Sequence, residues 1–162
     1  MTPENARFLF NFFLPELKSE TKITRKVVAA MPEGQGAYRP SEKCMSAMEL
    51  ATHLLTAHCF FLGGVVQGEF SRGEAPQFEN TAALLEWFDK TDGELMTRLQ
   101  ALSDEQLAKP VKFYSWELPA VAYLNFMLMH EAHHRGQLSA YLRPMGGKVP
   151  SIYGGSADEP MK

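Results

Sequence analysis

The chain has 162 residues, one domain's length and enough to bury a core. Its 45% hydrophobic and 22% charged content argues against disorder, and a formal charge of −3 offers no basic field for nucleic acid. Two cysteines, Cys44 and Cys59, are too few for a disulfide framework and read as buried free thiols.

The first helix is expected from about Pro3 to Ala30, where Phe10, Phe13, Leu17, Ile23 and Val27 recur at helical spacings and Pro15 is a point of bending. This segment lacks the basic start and small-residue cleavage site of a signal peptide. Its apolar run from Phe8 to Leu14 is too short to span a bilayer. The expectation is a soluble cytoplasmic protein with no membrane partner and no nucleic-acid partner. PEGQGAYRPSEK then reads as loop from its Gly, Pro and Ser content.

A second helix opens at Ser46, which forms a capping box with Glu49, and continues to about Gly68. A loop containing Gly73 and Pro76 leads to Asn80, the N-cap of a third helix, TAALLEWFDKTDGELMTRLQAL, in which Gly93 is a weak point. Ser103 to Gln106 adds a short turn, and VKFYSWEL is an extended or irregular connection. Pro119 suits the first turn of a fourth helix, which ends near Gly146-Gly147. The tail, KVPSIYGGSADEP, reads as an irregular arm. Four amphipathic helices of roughly 20 to 27 residues, with no βαβ rhythm and no repeat, predict an all-α four-helix bundle in one domain, residues 1–162.

All five histidines fall in two of these helices, in ELATHLLTAHCFF and MLMHEAHHRGQLSAYL. Neutral imidazole is the commonest ligand for divalent metals. His130 and His134 are four residues apart, so their directions differ by about 40° and both can reach one ion. Tyr123, Met127, Leu138 and Tyr141 share roughly that stripe, which is therefore read as the inward face. Glu131 and His133 point about 80° to either side of it. His53 shares a core stripe with Leu50, Ala57, Phe60 and Gly64 and is the chosen third ligand. His58 lies about 140° away and is the fallback. A hydrogen-bonded core histidine is the bland reading of any one of them alone.

HEAHH also matches the HExxH pattern of zinc peptidases, with Glu131 as general base. The context fails: no histidine follows His134, and the acidic residues beyond it are Asp158 and Glu159 in the tail. The longer strings SAMELATHLL and HEAHHRGQLSAYLRPMGGKVP, with the Tyr38-Arg39-Pro40 loop between the first two helices, resemble the DinB/YfiT-like helical-bundle metalloproteins across essentially the whole chain. That resemblance implies an up-down-down-up bundle, usually dimeric. It implies nickel or zinc held by the positions matched here by His53, His130 and His134, with open coordination sites. It also implies kinship with thiol-dependent enzymes, and so a low-molecular-weight thiol as a further cofactor.

Three neutral imidazoles leave the charge of a divalent ion uncompensated, and such a site acidifies a bound water or thiol. The expected function is a metal-dependent transferase or hydrolase acting on a small molecule. The alternative is a non-catalytic metal-binding bundle with a role in stress response. Glu131 is the candidate catalytic proton acceptor if it turns toward the ion, and a solvated helix residue if it does not. Arg135 and Gln137 orient a ligand or tie helices together, Gly136 permits close helix approach, and Trp116, Tyr123 and Tyr141 line a pocket or belong to the core. The second helix is apolar nearly all round, with Leu54, Leu55, Leu62 and Val65 opposite the His53 side, which predicts a homodimer packed through it unless loops cover that face.

Overall fold

The computed structural model describes residues 1–71, 73–74 and 76–161. It is mostly helical: α1 (Pro3–Ala29), α2 (Ala47–Gln67), α3 (Thr81–Gln100), the short α4 (Asp104–Ala108) and α5 (Ala122–Leu142). A two-stranded antiparallel hairpin, β1 (Pro110–Phe113) and β2 (Trp116–Pro119), precedes α5.

The helix starts follow from side chains that satisfy free backbone donors. Ser46 Oγ accepts from the Glu49 amide at 3.2 Å, and the Glu49 carboxylate accepts from the Ser46 amide at 2.7 Å. Asn80 Oδ1 accepts from the Ala83 amide at 2.9 Å. Gly68 closes α2 in the left-handed conformation, with φ of 72°.

Of the two readings of VKFYSWEL the extended one holds: it is part of a regular hairpin, turned at Tyr114, whose φ of 53° is the left-handed conformation that favours glycine. Composition gives no sign of a turn there. Pro119 is the last residue of β2 rather than the opening turn of α5, which begins at Ala122.

Helix α2 touches both α3 and α5, while α1 packs on α5, α3 and α4. α2 is long and apolar enough to cross a membrane by length and composition alone, yet its apolar side chains face neighbours within the chain. Leu54, Leu55 and Leu62 are fully buried and Val65 nearly so. The reasoning that left one face of α2 free for a second subunit is therefore overturned: α3 and α5 cover both sides. Gly64 is required by this packing, because a Cβ there would stand 2.1 Å from Phe70 Cε1. Gly136 is not, since nothing lies within 4 Å of its Cβ position, so the expected packing role is absent.

The tail forms no element, but it is fastened to the helices. Glu159 pairs with Lys26 at 2.5 Å, Asp158 with Arg143 at 3.1 Å, and the Tyr153 hydroxyl donates to Glu20 at 2.8 Å.

Candidate metal centre

The buried face of α5 is not centred on the histidines. Leu124, Met127, Leu138 and Leu142 all lie within about 40° of Glu131 around the helix, and Arg135 continues the same ladder. Glu131 and Arg135 are each 1% exposed. Measured from Glu131, His134 is about 60° round and His130 about 100°. Both are half-buried, at the rim of the core rather than in it, and His133 is exposed. The stripe read from sequence was displaced by one position. α2 behaves alike: His58 is the fully buried histidine, flanked by Ala51, Leu54, Leu55, Leu62 and Val65, while His53 is half-buried at the edge.

That displacement places His53, His130 and His134 together at one side of the α2–α5 seam. One ligand-capable atom from each lies within 4.8 Å of the others. His53 Nε2 and His134 Nε2 are 3.2 Å apart, and the His130 ring centroid is 5.0 Å from that of His53 and 4.4 Å from that of His134. Two nitrogens bound to one ion at about 2.1 Å stand about 3.0 Å apart at a right angle and about 3.4 Å apart at the tetrahedral angle. The observed spacing falls between these values.

Protonation agrees with the spacing. Burial, then the neighbouring imidazoles His134, His53 and His133, push His130 down to about 4, against a smaller opposing pull from Glu131. Burial and His134 also lower His53. Both rings are therefore neutral near pH 7, the form that binds metal. His134 Nδ1 lies 2.9 Å from Gln137 Oε1, so Nδ1–H donates to the amide carbonyl and the Nε2 lone pair is left facing His53. The Gln137 amide in turn donates to His133 Nε2 at 3.1 Å. The three rings fit a divalent ion in distance, with His53 and His130 held neutral and the His134 tautomer set by Gln137.

Glu131 faces the core. Its Oε2 is 3.3 Å from His58 Nδ1, and His58 Nε2 is 2.9 Å from Asp92 Oδ1 on α3. Among the described residues, Glu131 Oε1 has no hydrogen-bond partner. The expectation of a solvated Glu131 is corrected by its burial, and the general-base position of an HExxH peptidase is at odds with a carboxylate tied to His58. Burial alone would lower His58, yet the hydrogen bonds and charges of Asp92 and Glu131 outweigh it and raise His58 to about 9. Burial works against ionisation of Glu131 as well, but the His58 partnership leaves its carboxyl below the ordinary value.

Arg135 is fastened one turn further along. It pairs with Glu20 Oε2 at 2.5 Å, donates to Thr24 Oγ1 at 3.1 Å, and contacts the Tyr153 hydroxyl. Tyr123 is core, with its hydroxyl donating to the Val111 carbonyl at 2.8 Å. Trp116 is largely exposed on β2, and Tyr141 packs edge-on against Tyr38. Cys59 is a buried free thiol, which burial first and then Asp92 and Glu131 keep protonated, whereas Cys44 is only partly buried.

Sequence reasoning missed the Asp92–His58–Glu131 series. The signal was present: His58 sits in the middle of the Leu54, Leu55, Leu62 and Val65 ladder, and Glu131 in that of Leu124, Met127, Leu138 and Leu142.

A helical chain with three converging histidines on its second and last long helices is the form of a DinB-type protein, and the match is direct. The model of the DinB family matches residues 6–161, and the chain belongs to that family. Among its relatives, YjoA of Bacillus subtilis strain 168 is 29% identical over 140 residues, 84% of this chain and 90% of YjoA. YrdA of the same strain is 35% identical over 57 residues, 35% of this chain and 34% of YrdA. The crystal structure of the DinB-like protein YjoA superposes with a TM-score of 0.72 at 25% identity, over 87% of this chain and 96% of that one. A DinB-like protein from Bacillus cereus ATCC 10987 gives 0.75 at 23% identity, over 87% and 95%, a likeness of fold.

Proposed function

We propose that His53, His130 and His134 hold one divalent ion, nickel or zinc, and that the protein is a metal-dependent enzyme acting on a small molecule. The observation that carries this is the convergence of three imidazoles whose ligand atoms lie within 4.8 Å of one another. Nitrogen donors of this kind suit either metal. When bound, the ion supplies Lewis acidity, lowering the pKa of a water or thiol at a position that the histidines leave open.

The surroundings favour an enzyme over a structural staple. His53 also forms part of the wall of a groove of about 420 Å³, whose largely apolar lining includes Ala57, Cys59, Phe60, Pro76 and Trp87, with Thr56 and Glu74 as its other polar groups. That volume is within the usual range for a small-molecule site. Such a lining suits a substrate with an apolar body, its polar head toward the histidines. Phe61 stands with its ring centroid 5.9 Å from that of His130 and shields that side of the centre. The kinship to thiol-dependent enzymes makes a low-molecular-weight thiol the co-substrate of choice, hence a transferase, with hydrolysis as the counterpart reaction when water is the nucleophile.

Metal analysis of the purified protein tests the site. About one equivalent of nickel or zinc is expected, lost in the His130→Ala, His134→Ala double variant and in His53→Ala. Unchanged metal content in the double variant rules the site out. Thiol consumption with small electrophiles, abolished by a chelator and restored by either ion, tests the reaction.

The same reading takes in the bundle and its assembly. An up-down-down-up order is supported by paired residues: His53 with His134 and Phe61 with His130 run α2 against α5. His58 with Asp92 and Gly63 with Leu95 run α2 along α3. Arg25 with Asp89 and Lys18 with Gln100 run α1 against α3. A homodimer is proposed through α1 and α5, where Phe8 is 71%, Phe12 65% and Met129 58% exposed. Light scattering of Phe8→Glu, Phe12→Glu should give the mass of a monomer where the parent gives twice that. A monomeric parent refutes it. Two free cysteines suit a reducing cytoplasm.

A further inference from the structure

We propose that His58, clamped between Asp92 of α3 and Glu131 of α5, is a positioning residue for the metal centre: it fixes the roll of α5 about its own axis, and so the aim of His130 and His134 at His53. The inference rests on the three-histidine site proposed above.

The geometry of α5 makes its roll critical. A ligand nitrogen stands on the order of 6 Å from a helix axis, so a roll of 20° sweeps it through about 2 Å. Metal–ligand distances tolerate about 0.2 Å, which corresponds to a roll of roughly 2°. Apolar packing on α5 does not select a roll that sharply, because Leu124, Met127, Leu138 and Leu142 can slide against neighbours of similar shape. Hydrogen bonds have direction and length, and they do select it.

The chain places such a bond immediately after each ligand. Glu131 follows His130 and is held by His58, while Arg135 follows His134 and is held by Glu20 and Thr24. The two fastenings differ in redundancy. Arg135 has three partners on α1 and the C-terminal arm. Glu131 has His58 as its closest partner, through Oε2; the Thr24 hydroxyl and the Arg135 charge also favour its carboxylate, while Oε1 has no partner within hydrogen-bond distance among the described residues. His58 cannot serve Glu131 alone, because its second ring nitrogen is engaged by Asp92 at 2.9 Å. The series therefore runs from α3 through α2 to α5, and it ends one residue from His130. His58 is five residues after His53 on α2, so the clamp registers the two ligand-bearing helices against each other.

The experiment uses the purified full chain, stripped of metal and titrated with Co²⁺ as a spectroscopic probe of the histidine site. The parent is compared with His58→Leu, Asp92→Leu, Glu131→Leu combined, with Asp92→Leu alone, and with Glu131→Gln, which keeps an acceptor for His58. Replacing a whole buried ionic series by apolar side chains commonly preserves stability, so the triple variant is expected to keep its helical signal. Its Co²⁺ affinity should fall 10- to 100-fold with an altered visible spectrum, the size usual for losing a group that orients a ligand. Glu131→Gln should restore most of the affinity and the parental spectrum. A purely structural role would leave the spectrum of the folded triple variant unchanged, and that result overturns the proposal. Should the triple variant not fold, Asp92→Leu decides: parental affinity and spectrum overturn the proposal, and a weakened, shifted spectrum supports it. A parent that binds no Co²⁺ overturns the metal site itself; loss confined to the variants, or its absence there, bears on the clamp alone.

Discussion

The buried imidazolium of His58 makes the stability of the metal-free protein fall on the alkaline side of neutrality. His58 is 1% exposed, with a carboxylate at each ring nitrogen, and its pKa is raised from 6.5 to about 9. Burial opposes protonation; Asp92 and Glu131 more than offset it. Folding therefore binds a proton that the unfolded chain holds only below about 6.5. The stabilisation is complete below that value and is lost as pH rises through about 9. The full gap corresponds to roughly 3 kcal/mol, of which roughly 2 kcal/mol disappears between pH 7 and pH 9. For a domain whose total stability is of order 5–15 kcal/mol, that is a measurable share.

Other groups act in other windows. His130 is pushed down to about 4 and His53 is lowered, so they favour the folded state above about 6.5 and withdraw that support only as pH falls below it. The Cys59 thiol is raised, so its contribution is lost above about 9, where the unfolded thiol ionises. The interval from 6.5 to 9 belongs to His58. Urea unfolding followed by circular dichroism, in chelator and at fixed ionic strength, should give a falling free energy across pH 7, 8 and 9. His58→Gln, though less stable, should lose the slope. A flat profile in the parent, or an equal slope in the variant, refutes the ionised clamp.

Gln137→Leu removes the acceptor that fixes the His134 tautomer, and should lower metal affinity about 10-fold or more with the helical signal intact; unchanged affinity in a competition titration removes that role. Gly136→Ala should raise stability by roughly 0.5–1 kcal/mol, because its Cβ meets nothing within 4 Å and alanine favours the helix. Gly64→Ala should act oppositely, by roughly 1–3 kcal/mol, since its Cβ would meet the Phe70 ring at 2.1 Å. Thermal unfolding of the two variants tests both signs, and a shift in the same direction for both contradicts the packing described.

The elements were legible where local chemistry decides them. Ser46 with Glu49, Asn80, and the Gly68 cap mark helix ends through bonds made within a few residues, and those ends stand where the sequence put them. The hairpin was not legible, because its turn uses Tyr114 at positive φ and its pairing of Val111 with Leu118 carries no two-residue glycine signal. The docking of the tail was equally hidden. Its Gly and Pro content denies it regular structure, but Tyr153 and Glu159 find partners on α1, and Asp158 finds Arg143 just beyond α5, that only the folded chain brings near.

The histidine cluster shows why a polarity-based wheel groups these histidines yet misplaces the core. Counting only apolar residues puts the centre of α5 near Met127 and Leu138 and leaves the charged positions outside. Glu131 and Arg135 lie between those two on the same ladder, and each finds an opposite charge inside the molecule: His58 for one, Glu20 for the other. A charged residue flanked at i±4 and i±7 by leucines and methionines is therefore buried if an opposite charge occupies the middle of another ladder. His58 on α2 meets that condition, as does Glu20 on α1. With the charged ladder placed inside, the histidines move to the rim. At the rim His130 and His53 remain buried enough to be held below the ordinary imidazole value, and His53 borders the groove. Histidines in the centre of the bundle would have no such opening beside them. Glu131 and Arg135, paired with opposite charges inside the molecule, fill the centre of the α5 ladder and leave the histidines at its edge.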